Sequence, residues 1–169
     1  MTANQGYPQP VSIRLRAHTL LCLQGFRGEG YSREFVENLT SIHRLLLERP
    51  DQLIEVIDVP DAVCAACPHR ASSGCTLHHE ESEMDMRAQD RHVLGLLDLT
   101  VGCVVPWHEV LTRIRVALTG DDLPDICGRC PWLPLGYCRD GMNHLLLSDQ
   151  AGILSPVPSS PTSAEPPCA

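Results

Sequence analysis

The clearest pattern of hydrophobic positions along this chain follows Ser32 and predicts an amphipathic helix. Apolar side chains recur there at helical spacing up to about Glu48, at Phe35, Leu39, Ile42 and Leu46. Serine is a residue type that caps helix N-termini, and Pro50 lies just beyond the expected helix end. The pattern therefore predicts a helix over residues 32–48 with one buried face.

Other apolar patterns predict the remaining elements. Helical periodicity or strand-forming composition marks helices at 18–24, 82–98 and 107–118, and strands at 11–15 and 53–59. Asp90 and Arg91 are expected to form an exposed pair on the helix that they share. Together these elements predict a small, mainly helical α+β domain with one or two short strands and two metal-binding cysteine loops.

Composition sets the domain limits and the class of protein. Residues 11–150 are expected to form a single domain, preceded by a flexible leader at 1–10 and followed by a disordered Pro/Ser-rich tail at 151–169. The formal net charge is −8 and no Lys/Arg-rich stripe occurs, so nucleic acid is not an expected partner. The sequence has no apolar run long enough to span a membrane and no secretory signal pattern, which predicts a cytoplasmic protein.

Two segments repeat one cysteine spacing, C-x2-C-x7-C. The first triplet is Cys64, Cys67 and Cys75, and the second triplet is Cys127, Cys130 and Cys138, each cysteine 63 residues after its counterpart. Thiolates are soft ligands that select zinc, copper(I) or iron–sulfur clusters. A reducing compartment keeps clustered thiols available for metal, and both triplets are expected to lie in irregular loops.

Three thiolates are an incomplete ligand set for a tetrahedral zinc ion or a four-iron cluster. His18 and Cys22 stand four residues apart, which places them on one face of the first predicted helix. With the two triplets they supply enough donors for two four-coordinate centres. His69, His78 and His79 lie in or beside the first triplet and remain alternative donors.

Four segments resemble domain of unknown function family 1284, at residues 16–39, 61–68, 106–114 and 127–138. The resemblance covers roughly residues 12–145. It implies a small bacterial or archaeal protein suspected of binding iron–sulfur clusters, with ligands at His18, Cys22, Cys64, Cys67, Cys75, Cys127, Cys130 and Cys138. Cys103 and Cys168 match no ligand position, and Thr19 stands where the family often has a second histidine.

Three functional hypotheses follow from these residues. The leading one is an iron–sulfur protein with one or two clusters, of the 4Fe-4S type, that serves electron transfer or cluster carriage with a redox or protein partner. The alternative is a structural zinc protein that acts as an interaction module. The third is dithiol redox chemistry at a C-x2-C pair. No P-loop, G-x-G-x-x-G or H-E-x-x-H motif occurs, so whether the protein is an enzyme stays open.

Overall fold

The structure is a computed structural model that describes residues 11–79 and 81–150. The expected leader at 1–10 and tail at 151–169 lie outside the described residues. The helices and strands follow the order β1 (Ile13–Arg16), α1 (Ala17–Gly25), α2 (Arg33–Glu48), β2 (Leu53–Ile57), β3 (Arg70–Ala71), β4 (Gly74–Cys75), α3 (Ser82–Leu97), β5 (Val104–Pro106), α4 (Trp107–Ala117), α5 (Leu123–Cys127) and α6 (Tyr137–Gln150). Short 3-10 helices occur at Val63–Ala66 and Leu133–Leu135. The expected helix-rich α+β class is confirmed.

The helices with strong periodicity begin and end close to the residues that the sequence predicts. In α2 the Ser32 hydroxyl accepts a hydrogen bond from the backbone N–H of Phe35 at 3.1 Å, as a helix N-cap does. One apolar face of each long helix is buried: Phe35, Leu39, Ile42 and Leu46 in α2, Val93, Leu94 and Leu97 in α3, and Trp107, Val110 and Ile114 in α4. None of the helices among the described residues is long and apolar enough to cross a membrane.

The sheet is larger than expected. Across the described residues the chain forms five strands, whereas the sequence predicted one or two. β2 lies at the centre of a three-stranded sheet, parallel to β1 and antiparallel to β5. β5 escaped prediction because it has only three residues and ends at Pro106, a residue type confined to the edges of sheets. The tiny antiparallel pair β3–β4 carries Cys75.

The expectation that both triplets lie in irregular loops is wrong for four of the six cysteines. Cys64 lies in the 3-10 helix Val63–Ala66, and Cys75 lies in β4. Cys127 is the last residue of α5, and Cys138 is the second residue of α6. Pro124 suits the first turn of α5, where its missing N–H costs nothing. Regular structure therefore fixes more of the thiols than the proline-rich sequence suggested.

Helix α1 lies largely in the interior, with Ala17, Thr19, Leu20, Leu21, Leu23 and Gly25 buried and His18, Cys22 and Gln24 partly exposed. It packs against α3 and α6. The contact with α6 depends on two glycines, because a Cβ at Gly141 would overlap the carbonyl group of Gln24. A Cβ at Gly25 would similarly overlap the backbone of Cys138 and lie 2.7 Å from its sulfur.

We expect Gly141→Ala to destabilise the protein, because the added methyl group meets backbone atoms that cannot rotate away. Overpacking of this kind costs about 1–3 kcal/mol in the free energy of unfolding. The matched control is Gly95→Ala in α3, where a Cβ meets nothing within 4 Å. That change should stabilise the protein by about 0.5–1 kcal/mol, since alanine is the better helix former. Urea denaturation of both variants measures the difference, and equal midpoints would contradict the close crossing of α1 and α6.

Candidate metal centre

Cysteines from three separate parts of the chain line one cleft. The cleft has a volume of about 390 Å³, and six cysteines face it: Cys22, Cys64, Cys67, Cys75, Cys127 and Cys130. His18 lines the same cleft. All three donor groups predicted from sequence, the two triplets and the His18/Cys22 pair, therefore meet at one place. Of the eight residues in these three groups, Cys138 alone does not line the cleft.

The second triplet gathers around Cys22. Burial raises the pKa of the Cys22 thiol, and the nearby thiols of Cys127, Cys138 and Cys130 raise it further. Burial also raises the pKa of Cys127 to about 12, with Cys130 and Cys138 adding to the shift. The contact between α1 and α6 at Gly25 explains how Cys138 comes close to this group. These four thiols consequently form one electrostatically coupled set.

The first triplet is supported by carboxylates that bind its backbone. The Asp61 side chain accepts hydrogen bonds from the backbone N–H of Cys64 at 2.9 Å and from the Thr19 hydroxyl at 2.8 Å. The Glu83 side chain accepts one from the backbone N–H of Cys75 at 2.8 Å. Thr19, where the resemblance suggested a lost histidine, therefore helps to position the first triplet.

Arg16 lines the cleft and joins these carboxylates. Its guanidinium donates to Asp90 Oδ2 at 2.7 Å and to both carboxylate oxygens of Glu83, and its backbone N–H donates to Asp61. The Arg16 side chain is 1 % exposed and that of Asp90 is 0 % exposed. The expected surface pair of Asp90 and Arg91 is wrong, because Asp90 faces the interior and Arg91 binds Asp58.

His18 is held by the same network. Its backbone N–H donates to Asp90 Oδ1 at 3.0 Å, and its ring Nδ1 lies 2.7 Å from that oxygen. Burial alone would raise the pKa of Asp90, but the contacts with His18 and Arg16 lower it overall. A carboxylate on Nδ1 fixes the ring and leaves Nε2 for another partner, an arrangement common in metal-binding histidines.

The alternative histidines differ in position. His69 and His78 line the cleft. His79 instead accepts a hydrogen bond from the backbone N–H of Glu81 and contacts Asp85. His69 and His78 therefore remain candidate ligands, whereas His79 does not line the cleft.

The candidate ligands lie close together, but the described residues do not form a metal-ion site. Within residues 11–79 and 81–150, no group of three or more His, Cys, Asp or Glu side chains has the geometry of a metal-ion site. The seven candidate cysteines are all free thiols. Burial raises the pKa of Cys64 to about 12, so this thiol is protonated at neutral pH, and a metal would have to displace its proton. Metal binding by the two cysteine segments accordingly remains a prediction.

Aromatic side chains form a wall of the cleft that the sequence did not reveal. The Tyr31 ring lies 4.9 Å from His69 and 4.7 Å from Trp132, measured between ring centroids. Its other neighbour is Phe35 of α2, at 5.2 Å. Periodicity identifies Phe35 only as a core residue, and nothing in the sequence links Tyr31 to either triplet. Spatial proximity between distant segments was the missing information.

The fold and the cleft define a class: a small helix-rich α+β protein with a cysteine-lined cleft. The chain belongs to the family described as protein of unknown function (DUF1284), whose pattern matches residues 30–136, more than half of the chain. The matched range contains the first triplet and Cys127 and Cys130 of the second, but not Cys138, His18 or Cys22. No curated protein and no solved structure matches the chain.

We expect Arg16→Met to destabilise the protein strongly, because it leaves the buried Asp90 and the partly buried Glu83 without their cation. Removing one partner of a buried ion pair costs about 3–5 kcal/mol. Arg14→Met is the matched control on the same strand, since Arg14 is 57 % exposed and its pair with Glu55 is worth about 0–1 kcal/mol. Thermal denaturation of the two variants tests this, and similar losses would contradict the central role of Arg16.

Proposed function

We propose that the cleft binds thiolate-ligated iron–sulfur centres and that the protein serves electron transfer or cluster carriage. The observation that carries the proposal is the convergence of six cysteines and His18, from distant parts of the chain, on one cleft. Thiolates are the protein ligands on which iron–sulfur clusters are held. A bound cluster would supply a one-electron redox group, which the side chains that line the cleft do not provide themselves.

The size of the cleft supports a group of several atoms. A water molecule occupies about 30 Å³ in the liquid, so a cleft of about 390 Å³ is far larger than a single ion requires. Much of its lining is apolar, including Phe35, Val63 and Trp132. Solvent exposure and hydrogen bonding around a cluster tune its potential, so a partly apolar cleft suits this chemistry.

The coupling of the thiols suggests how the ligands divide. We assign Cys22 to the second triplet, because its thiol is electrostatically coupled to those of Cys127, Cys130 and Cys138. We assign His18 to the first triplet, because its neighbour Thr19 shares Asp61 with the backbone of Cys64. One set then has four thiolates, and the other has three thiolates and one imidazole.

One observation favours the zinc alternative. The contact between His18 Nδ1 and Asp90 is the carboxylate–histidine arrangement often found behind zinc ligands. Zinc also accepts three cysteines with one histidine, or four cysteines, and contributes directly to folding. In that case both centres would be structural, and the protein would act as an interaction module.

We expect protein purified without oxygen to be brown, with broad visible absorption and about four or eight irons per chain. Absorption spectroscopy with iron, sulfide and zinc analysis measures this. A colourless protein with one or two zinc ions would replace the iron–sulfur proposal with the zinc alternative. A metal-free, folded protein would contradict both.

We expect Cys127→Ser and Cys64→Ser each to lose one centre and keep the other, so the metal content of each should fall to about half of the wild-type value. Ser41→Ala is the control, because Ser41 is exposed on α2 and does not line the cleft. Its metal content per folded chain should equal that of the wild type. Loss of all metal from either serine variant would show instead that both triplets share one centre.

A further inference from the structure

Tyr31 lies where the two triplets approach each other. Its ring contacts His69, which follows Cys67 by two residues, and Trp132, which follows Cys130 by two residues. The tyrosine itself lines the cleft. One side chain therefore touches the protein segments that carry both candidate ligand sets.

Tyr31 lines the cleft together with cysteines of both sets, Cys22 and Cys130 from one and Cys67 and Cys75 from the other. Burial raises the pKa of Tyr31, and the thiols of Cys130, Cys22, Cys67 and Cys75 raise it further. Two of these thiols belong to the set around Cys22, and the other two belong to the first triplet. In the part of the chain that the structure describes, the Tyr31 hydroxyl has no hydrogen-bond acceptor, so its proton is available to a ligand of the cleft.

The cysteine amides have other partners. The backbone N–H groups of Cys64 and Cys75 donate to Asp61 and Glu83, and those of Cys67 and Cys130 donate to the carbonyls of Cys64 and Cys127. These four amides therefore do not supply the hydrogen bonds that commonly stabilise negative charge on metal-bound sulfur. Hydrogen bonds to a metal-bound sulfur would therefore have to come from other donors, such as a side chain in the cleft.

We propose that the Tyr31 hydroxyl donates a hydrogen bond to a metal-bound sulfur in the cleft, and so acts as a positioning residue for the bound centre. This inference rests on the proposed function. The group accepts no proton and transfers none. It places a fixed dipole beside the thiolates, which stabilises their charge and lowers the free energy of the bound state.

Tyr31→Phe isolates the hydroxyl, because phenylalanine keeps the ring contacts with His69 and Trp132. The control is Tyr137→Phe, since Tyr137 precedes Cys138 but does not line the cleft and contacts Arg27 through its ring face. Zinc added to the metal-free chains, in competition with a chelator, measures thiolate binding without requiring cluster assembly. We expect Tyr31→Phe to bind zinc about tenfold more weakly than the wild type, and Tyr137→Phe to bind it equally well.

A second measurement uses the wild-type chain and needs no variant. With ring-labelled tyrosine, the Tyr31 carbon that bears the hydroxyl should shift on zinc addition, whereas that of Tyr137 should not. In cluster-loaded protein, Tyr31→Phe should have a more negative reduction potential than the wild type, because a hydrogen bond to sulfur is lost.

The outcomes separate this inference from the function on which it rests. A wild-type chain that binds neither zinc nor an iron–sulfur cluster would overturn the proposed function. A wild-type chain that binds zinc, with Tyr31→Phe of equal affinity and no shift of the Tyr31 resonance, would overturn the role of Tyr31 alone. An equal loss of affinity in Tyr31→Phe and Tyr137→Phe would also overturn it.

Discussion

The buried guanidinium of Arg16 is the interaction on which the rest of this structure depends. A cation removed from water is tolerated only with excellent geometry and well-satisfied hydrogen bonds, and here it meets the carboxylates of Glu83 and Asp90. Because Arg16 ends β1 and α1 begins at the next residue, this network fixes the point at which α1 leaves the sheet. The same carboxylates hold His18 and the backbone of Cys75. The stability of the fold and the shape of the cleft thus have a common origin.

The two triplets reach the cleft by different means. The first is held by side chains, since Asp61 and Glu83 bind the amides of Cys64 and Cys75. The second is held by helices, since Cys127 ends α5 and Cys138 lies in the first turn of α6. The glycine contact between α1 and α6 then brings Cys138 towards Cys22. The equal cysteine spacing of the two segments therefore conceals two unlike local structures.

Local sequence patterns predicted the long helices, but they did not predict the buried hydrogen-bond network around Arg16. The period of α2 and its Ser32 cap are properties of neighbouring residues, so the sequence alone predicted them well. The burial of Asp90 depends on Arg16, which is 74 residues away, and no local pattern records that pairing. The same applies to Tyr31, whose partners His69 and Trp132 come from separate segments. The metal-ligand residues were identifiable because cysteine chemistry and repeated spacing are visible without a structure.

Metal binding by these buried thiols would require the loss of their protons. Seven thiolates placed close together without a metal would repel one another, and burial raises the pKa of Cys22, Cys64 and Cys127, so these thiols remain protonated and neutral. A metal would both displace their protons and provide the attraction that closes the ligand set. The Arg16 network and the close crossing of α1 with α6 position the cysteine segments, and the proposed centre would supply the attraction that holds the thiolates together.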